Sequence, residues 1–270
     1  MALVKSRAIS LKTYRLGETS KVVVCYTREY GKVRLVAKGV RKGGGRLGAA
    51  LEPMVVSGVV FYLRPGRDLN LVSQAEIERQ WSPLRRDVVR MAYGGAVVEL
   101  ADALVSEGEE DTALFDLVEA TLERVADADE AHLDAVLWGY EVALSRALGY
   151  GPELTRCVVC GRQSAGGVRF SPRRGGIVCP SCVGEAPGAW SLSEEAARIM
   201  AGLPGDVACD AGAAVRDEVG SALLAFLGEH AGHELKVRSL DFLAQIRRTG
   251  QRAGGPAEQH EVESEREHDG

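Results

Sequence analysis

Lys21-Val22-Val23-Val24-Cys25-Tyr26-Thr27-Arg28-Glu29-Tyr30-Gly31-Lys32-Val33-Arg34-Leu35-Val36-Ala37-Lys38-Gly39-Val40 decides how the chain begins. Two runs rich in β-branched residues, Lys21–Thr27 and Lys32–Val40, flank Glu29-Tyr30-Gly31. Polar residues ending in glycine between two such runs predict a hairpin. Similar runs lie on both sides: Ala8–Leu16, Pro53–Leu63 and Leu69–Ile77. They are separated at Gly17-Glu18-Thr19, Gly43-Gly44-Gly45 and Arg64-Pro65-Gly66-Arg67-Asp68. Five short strands in about eighty residues predict a small closed or partly open barrel, OB-like or SH3-like, in which curling the sheet removes its edges.

From Pro83 the period changes. Val88, Met91, Ala92, Val98, Leu100, Leu104 and Val105 recur at helical spacing through Ser106. Helices are predicted over Thr112–Val125 and Glu130–Leu148, the second stopped by Gly149 with Pro152 beyond. Residues 156–187 are rich in Gly, Arg and Cys and lack apolar periodicity. Ser191-Leu192-Ser193-Glu194 fits a capping box opening another helix, and Ala213–Leu227 and Ser239–Arg247 follow as helices. The expected class is α+β. A barrel over 1–80 precedes a helical domain over 81–155 and 188–250, interrupted by an insert over 156–187. Residues 251–270 are expected to form a disordered acidic tail.

The insert carries Cys157-Val158-Val159-Cys160 and Cys179-Pro180-Ser181-Cys182. This C-x2-C-x18-C-x2-C spacing is that of a four-cysteine zinc site. Each turn lets two sulfurs converge, and Gly161 supplies a residue tolerant of positive φ after the first pair. Four thiolates close the coordination shell, so one structural zinc per chain is expected, with no open position for catalysis. Cys25 and Cys209 read as ordinary small residues.

The 270 residues are 46% hydrophobic and 26% charged, with a formal net charge of −5. That apolar fraction excludes global disorder. The longest nearly apolar stretch, Val55–Leu63, is too short to span a bilayer, and no secretory signal is recognisable at the N-terminus. Six cysteines are too few for a disulfide scaffold, and a reducing cytoplasmic setting is expected. Mild acidity argues against nucleic acid as a partner, but the distribution reverses that inference. Residues 1–80 carry 15 Lys+Arg against 6 Asp+Glu, and residues 81–150 carry 5 against 15. Residues 31–51 contain no acid but hold Lys32, Arg34, Lys38, Arg41, Lys42 and Arg46. Lys32 and Arg34 share a strand face, and the others lie at the strand end and its glycine-rich loop. These six are the candidate nucleic-acid contacts, following phosphate without reading bases. Tyr14, Tyr26, Tyr30, Phe61 and Tyr62 offer stacking platforms, although most belong to a core.

Other signals are discounted. Gly43-Gly44-Gly45-Arg46-Leu47-Gly48 matches G-x-G-x-x-G, but a strand start follows it at Leu51–Val56, which is wrong for a dinucleotide site. His230 and His233 read as solvated helix-end histidines. The carboxylates of 99–134 look like polar helix faces, and no nucleophile–base pair stands out, so no enzyme is expected. A hydrolase or transferase site in the acidic region would need to be shown by turnover.

The order of these features resembles the bacterial recombination mediator family RecO. Arg15-Leu16-Gly17-Glu18-Thr19-Ser20-Lys21-Val22-Val23 resembles its first hairpin, and Thr27-Arg28-Glu29-Tyr30-Gly31-Lys32 with Ala37-Lys38-Gly39-Val40-Arg41-Lys42 its most recognisable stretch. Leu51-Glu52-Pro53-Met54 is similar to the next strand start, where Phe is expected at 54. Leu148-Gly149-Tyr150-Gly151-Pro152-Glu153-Leu154 resembles the approach to the zinc finger, and Lys236–Leu243 the last helix. The resemblance covers roughly residues 1–250. It implies an OB-like barrel and a non-enzymatic role in recombinational DNA repair. Such proteins bind single- and double-stranded DNA and anneal complementary strands. They bind the C-terminal tail of single-stranded DNA-binding protein and, with RecR, help load RecA. A cytoplasmic, nucleoid-associated protein without membrane contact is implied. The alternative is an OB-plus-finger RNA-binding factor in translation or ribosome function.

Overall fold

The computed structural model describes residues 2–40, 45–64, 66–108, 110–163, 166–205, 211–233 and 235–253. Strands β1 (Ala2–Leu16), β2 (Ser20–Thr27), β3 (Gly31–Ala37), β4 (Val56–Leu63) and β5 (Asn70–Arg79) close into a barrel in the order β1-β2-β3-β5-β4. Only the β3–β5 pair is parallel among them. A short helix, α1 (Arg46–Ala50), which the sequence pattern does not predict, connects β3 to β4. The chain is α+β, with an OB-like barrel at its start.

β1 is longer than its apolar pattern suggests. Its first half pairs with β4, from Ala2↔Leu63 to Ile9↔Val56. Its second half pairs with β2, from Ala8↔Thr27 to Leu16↔Ser20, with an irregularity between Ser10 and Lys12. A bulge of this kind bends a strand, which lets one strand serve two neighbours and close the barrel. The sequence hides Ala2–Arg7 because most of these side chains are exposed or half-buried, including Lys5 and Arg7.

The unbroken apolar run of β2 has a definite cause. Val23 and Cys25 fill the barrel with Ala8, Leu35, Val59, Phe61 and Val72. Val24 and Tyr26 face outward and are buried as well, in the helical core. A strand covered on both faces needs no polar alternation. Burial pushes the Cys25 thiol up to about 12, so this residue is an inert part of the barrel filling.

The helices are α2 (Pro83–Arg86), α3 (Val88–Leu104), α4 (Thr112–Asp127), α5 (Leu133–Ala147), α6 (Glu194–Gly202), α7 (Ala213–Ala231) and α8 (Arg238–Ala253). Asp87 caps α3, accepting from the Val89 and Arg90 amides at 2.8 and 3.2 Å. Asp111 caps α4 in the same way. The cap of α6 is Ser193 rather than Ser191. Its Oγ accepts from the Ala196 amide at 3.1 Å, while Glu218 of α7 takes the Ser193 N–H and hydroxyl at 2.6 and 2.7 Å. The reciprocal carboxylate of this cap therefore comes from another helix, which no local pattern can show. Glu99 of α3 likewise takes the Ser239 N–H and hydroxyl of α8 at 3.2 and 3.0 Å. A Cβ at Gly95 would collide with that hydroxyl, so the glycine permits the close approach of α8.

The insert holds β6 (Arg169–Ser171), β7 (Gly176–Val178) and β8 (Trp190–Ser191), in the sheet order β7-β6-β8. Phe170 and Ile177 reach into the helical core, and the cysteines form a small core of their own.

Two carboxylates on α5 sit inside the helical core. Asp134 accepts from the Tyr93 hydroxyl at 2.7 Å and from Arg247 at 3.0 and 2.9 Å, tying α8 to α3 and α5. Glu141 is buried, and its Oε2 has no hydrogen-bond partner among the described residues. Burial, reinforced by Asp134, pushes its carboxyl up to about 8. An acid raised in the folded state takes up a proton on folding between its unfolded value of 4.5 and about 8, so stability falls as pH rises through that window. Glu141→Gln removes this dependence. Its thermal midpoint relative to wild type is expected to climb between pH 5 and pH 8, by on the order of 3 kcal/mol of stability. Parallel pH profiles for the two proteins would contradict this assignment.

Candidate nucleic-acid interface and cysteine cluster

Much of the barrel's positive charge faces the acidic helices. Arg7 donates to both Glu119 oxygens at 3.0 and 2.8 Å and to Glu78 at 2.8 Å. Arg79 reaches Glu123 at 2.6 Å, and Arg28 holds Asp116. Lys32 donates to the Asp102 carbonyl at 2.7 Å and lies 3.9 Å from its carboxylate, which also faces Lys12 at 3.7 Å. Arg34 pairs with Glu107. The hydrogen bond to Glu119 holds the Arg7 guanidinium above its ordinary range, against a smaller opposing effect of burial. Burial lowers the Lys32 ammonium, with Asp102 and Glu107 opposing. The carboxylates of α3, α4 and the loop between them are therefore not only a solvated face. They are the complementary half of a seam between barrel and helices.

Strand register shows what the seam covers. Side chains directly opposite one another across a sheet share a face, so cross-strand partners form rows. The row Ile9–Tyr26–Lys32 lies under the helices, where the Tyr26 hydroxyl donates to the Asp111 carbonyl at 3.1 Å. The next row, Lys12–Val24–Arg34, lies at the seam's edge, its two cations held by Asp102 and Glu107. The third row, Tyr14–Val22–Val36–Leu71–Tyr62, crosses all five strands. Tyr14 is 45% exposed and the other four are half-buried.

A cleft of about 460 Å³ opens over the third row, lined by Val36 and Leu71 with Lys38, Arg64 and Arg67 on its rim. Lys38 and Arg67 are exposed. Arg64 is half-buried, and its Nε has no hydrogen-bond partner among the described residues. Asp68 is the acidic residue lining the cleft.

The six predicted cations thus separate. Lys32 and Arg34 belong to the seam, whereas Lys38 and Arg46 are exposed. Arg41 and Lys42 lie outside the described residues. Arg64 and Arg67 are added to the candidates. Local pattern marks them as a turn, and the parallel β3–β5 pairing brings them beside Lys38. Of the aromatic candidates, Tyr26 and Phe61 are buried, and Tyr30 packs edge-on against Phe61 at 5.8 Å. Tyr14 and Tyr62 remain as accessible rings, with Lys12 5.0 Å over the Tyr14 ring.

In the insert, the ligand atoms of Cys157, Cys160, Cys179 and Cys182 all lie within 4.8 Å of one another. Zn–S bonds of about 2.3 Å in a tetrahedron require sulfur–sulfur edges of about 3.8 Å. The Cys160–Cys179 separation is 3.8 Å, so the cluster fits such a shell. Backbone turns aim the sulfurs. Gly161, at φ 73°, donates to the Cys157 carbonyl at 2.8 Å, and the Cys182 amide donates to the Cys179 carbonyl at 2.9 Å. The Cys179 amide points at the Cys157 sulfur at 3.4 Å. Although burial opposes it, backbone N–H groups from Cys179, Cys160 and Val159 pull the Cys157 thiol down to about 6. Hydrogen bonding with Cys179, followed by burial, pushes Cys182 up to about 12. Crowded thiols cannot all ionise unless a cation joins them. His230 stands apart from this cluster, stacked on Tyr150 at 5.3 Å.

Among the described residues no helix is long and apolar enough to cross a membrane. A family model described as "Recombination protein O N terminal" matches residues 1–81, and one described as "Recombination protein O C terminal" matches residues 85–239. The chain is 35% identical over 255 residues to the DNA repair protein RecO of Symbiobacterium thermophilum, covering 92% of this chain and 99% of that one. It is 35% identical over 241 residues to the protein of that name from an Anaeromyxobacter species, covering 87% and 93% of the two chains. For the protein of that name from a Nocardioides species the identity is 35% over 240 residues, covering 87% and 97%.

Proposed function

Because the chain belongs to the RecO family of DNA repair proteins, we propose that its barrel binds single- and double-stranded DNA and anneals complementary strands. The observation that carries this reading is the open third row, with accessible tyrosines at both ends and Lys38, Arg64 and Arg67 around its cleft. Bases stack on rings and apolar side chains while cations neutralise phosphate, a combination that tolerates any sequence. Arg46 is exposed too, and with Arg41 and Lys42, which precede it in the sequence, it completes the cations assigned to phosphate in this reading. Of the two seam cations, Arg34 is half exposed at the edge and borders the open row, whereas Lys32 holds the seam beneath it. None of these steps requires a nucleophile or general base.

The four cysteines hold one structural zinc, which fixes the insert against the helical core. In this reading the protein works with RecR to load RecA, and it engages the acidic C-terminal tail of single-stranded DNA-binding protein. The test is annealing of two complementary strands coated with the cognate single-stranded DNA-binding protein. Acceleration by this protein is the expected result. No acceleration, or acceleration for RNA alone, would remove the reading.

A further inference from the structure

The four cysteines of the insert are not equally placed. Cys157 and Cys182 are 1% and 8% exposed and lie in a small core with Val178, Ala186 and Ala189. Cys160 is exposed and Cys179 is half-buried. These two outer sulfurs come from different turns, Cys160 from the first and Cys179 from the second, and stand 3.8 Å apart. The inner pair is shielded by apolar side chains, so a small solute reaches the cluster through the outer pair.

The surroundings favour a reactive thiolate at this outer edge. Residues 156–187 hold Arg156, Arg162, Arg169, Arg173 and Arg174 against a single acid, Glu185. A positive field raises the thiolate fraction, partial exposure admits an oxidant, and a metal shell keeps its thiolates ionised. Cys25 is the contrast within the same chain, buried in the barrel with its thiol pushed up to about 12. A disulfide bond is about 2.05 Å long, so the outer sulfurs must close by roughly 1.8 Å to form one. They need no new neighbour, because they are already in contact.

We propose that Cys160 and Cys179 are an oxidisable pair, which a peroxide converts to a disulfide, and that this opens the metal shell. The Cys160 thiolate attacks one peroxide oxygen. An S–O bond forms, the O–O bond breaks, and the leaving hydroxide takes a proton from solvent to become water. The Cys179 thiolate then attacks the Cys160 sulfur, forming the S–S bond and breaking the S–O bond, and the second hydroxide is protonated in the same way. Two thiolates lose two electrons in all, and one peroxide is reduced to two waters. Only Cys157 and Cys182 then remain as ligands, half of a four-thiolate shell, and the metal is lost. Phe170 and Ile177 of the insert belong to the helical core, so loss of the shell reaches the helical domain. The inference rests on the zinc reading of the cluster and makes the insert a reversible sensor of oxidant, since thiols reduce the disulfide again.

The full-length, zinc-loaded protein is treated with hydrogen peroxide while released zinc is followed with a chromophoric chelator. All of the bound zinc is expected to appear, and dithiothreitol with added zinc should restore binding. Tryptic cleavage after Arg156, Arg162, Arg174 and Arg198 leaves Cys157 and Cys160 on one peptide and Cys179 and Cys182 on another. The expected product is these two peptides joined through Cys160 and Cys179, assigned by fragmenting the linked pair. Cys160→His keeps a fourth ligand without the outer thiolate, so it should hold zinc and release it about tenfold more slowly. The wild-type peptide map decides the pairing whatever the zinc content of the variant. Zinc that stays bound in excess peroxide, disulfides confined within each turn, or release from zinc-loaded Cys160→His as fast as from wild type would each overturn the proposal and leave the zinc reading intact. A protein that never carries zinc would overturn that reading, and the proposal with it.

Discussion

Replacing Cys157 and Cys179 by serine is expected to abolish zinc binding and unfold the insert while leaving the barrel folded. The insert cannot stand on apolar burial. Its own core consists of Cys157, Val178, Cys182, Ala186 and Ala189, so two of five buried members are ligands and two are alanines. A structural zinc site contributes roughly 10–16 kcal/mol, far more than such a core supplies. Phe170 and Ile177 transmit the loss, because they belong to the core shared with Phe226 and Leu154. Wild-type protein should carry one zinc per chain, and a strong chelator should make 156–187 protease-sensitive before any other folded segment. Metal binding must also release protons, since four crowded thiols are not all ionised without it, so affinity should fall as pH is lowered. Full zinc retention in the double variant would refute the ligand assignment. An insert that stays protease-resistant after chelation would refute the metal's structural role.

How much of this was legible in the sequence depends on the range of the interaction. The cysteine spacing is local, and the structure gathers the four sulfurs as that spacing requires. The hairpin of β2 and β3 is local too, with its turn closing at Gly31. Register along β3 puts Lys32 and Arg34 on one face, but nothing local says which face the helices cover. That is decided by Tyr26, whose outward side chain is buried by residues far along the chain. The same limit applies to the acids. Glu119 looks like a residue of a polar helix face, yet it is 9% exposed beneath Arg7 and Arg79. The opposite charges of 1–80 and 81–150 therefore have a double meaning. Part of the contrast is satisfied within the molecule, and only the remainder is available to a partner. Arg64 and Arg67 are visible as turn residues and hidden as site residues, because their neighbour Lys38 comes through a parallel strand pairing.

This division sets the second large effect. Reversing Lys38, Arg64 and Arg67 to glutamate should cut affinity for single-stranded DNA by about a hundredfold at moderate salt, for all sequences alike. With three fewer phosphates neutralised, the dependence of log affinity on log salt should also flatten by about two units. Lys32→Ala is expected to behave in the opposite manner. Its ammonium is committed to Asp102, so its loss leaves the Asp102 carbonyl without this donor and the carboxylate facing Lys12 alone in the seam. That should lower thermal stability by the penalty of an unsatisfied half-buried group, about 1–3 kcal/mol, while DNA affinity changes little. Arg34 lies between these cases: Glu107 competes with phosphate for its guanidinium, and Glu107→Gln should raise affinity modestly by releasing it. The comparison needs one titration series across salt concentrations and one melting curve per variant. Equal losses of affinity for Lys32→Ala and the triple reversal would mean that the seam opens when DNA binds. The first row of the barrel would then belong to the DNA surface after all, and the open third row would be only its visible part.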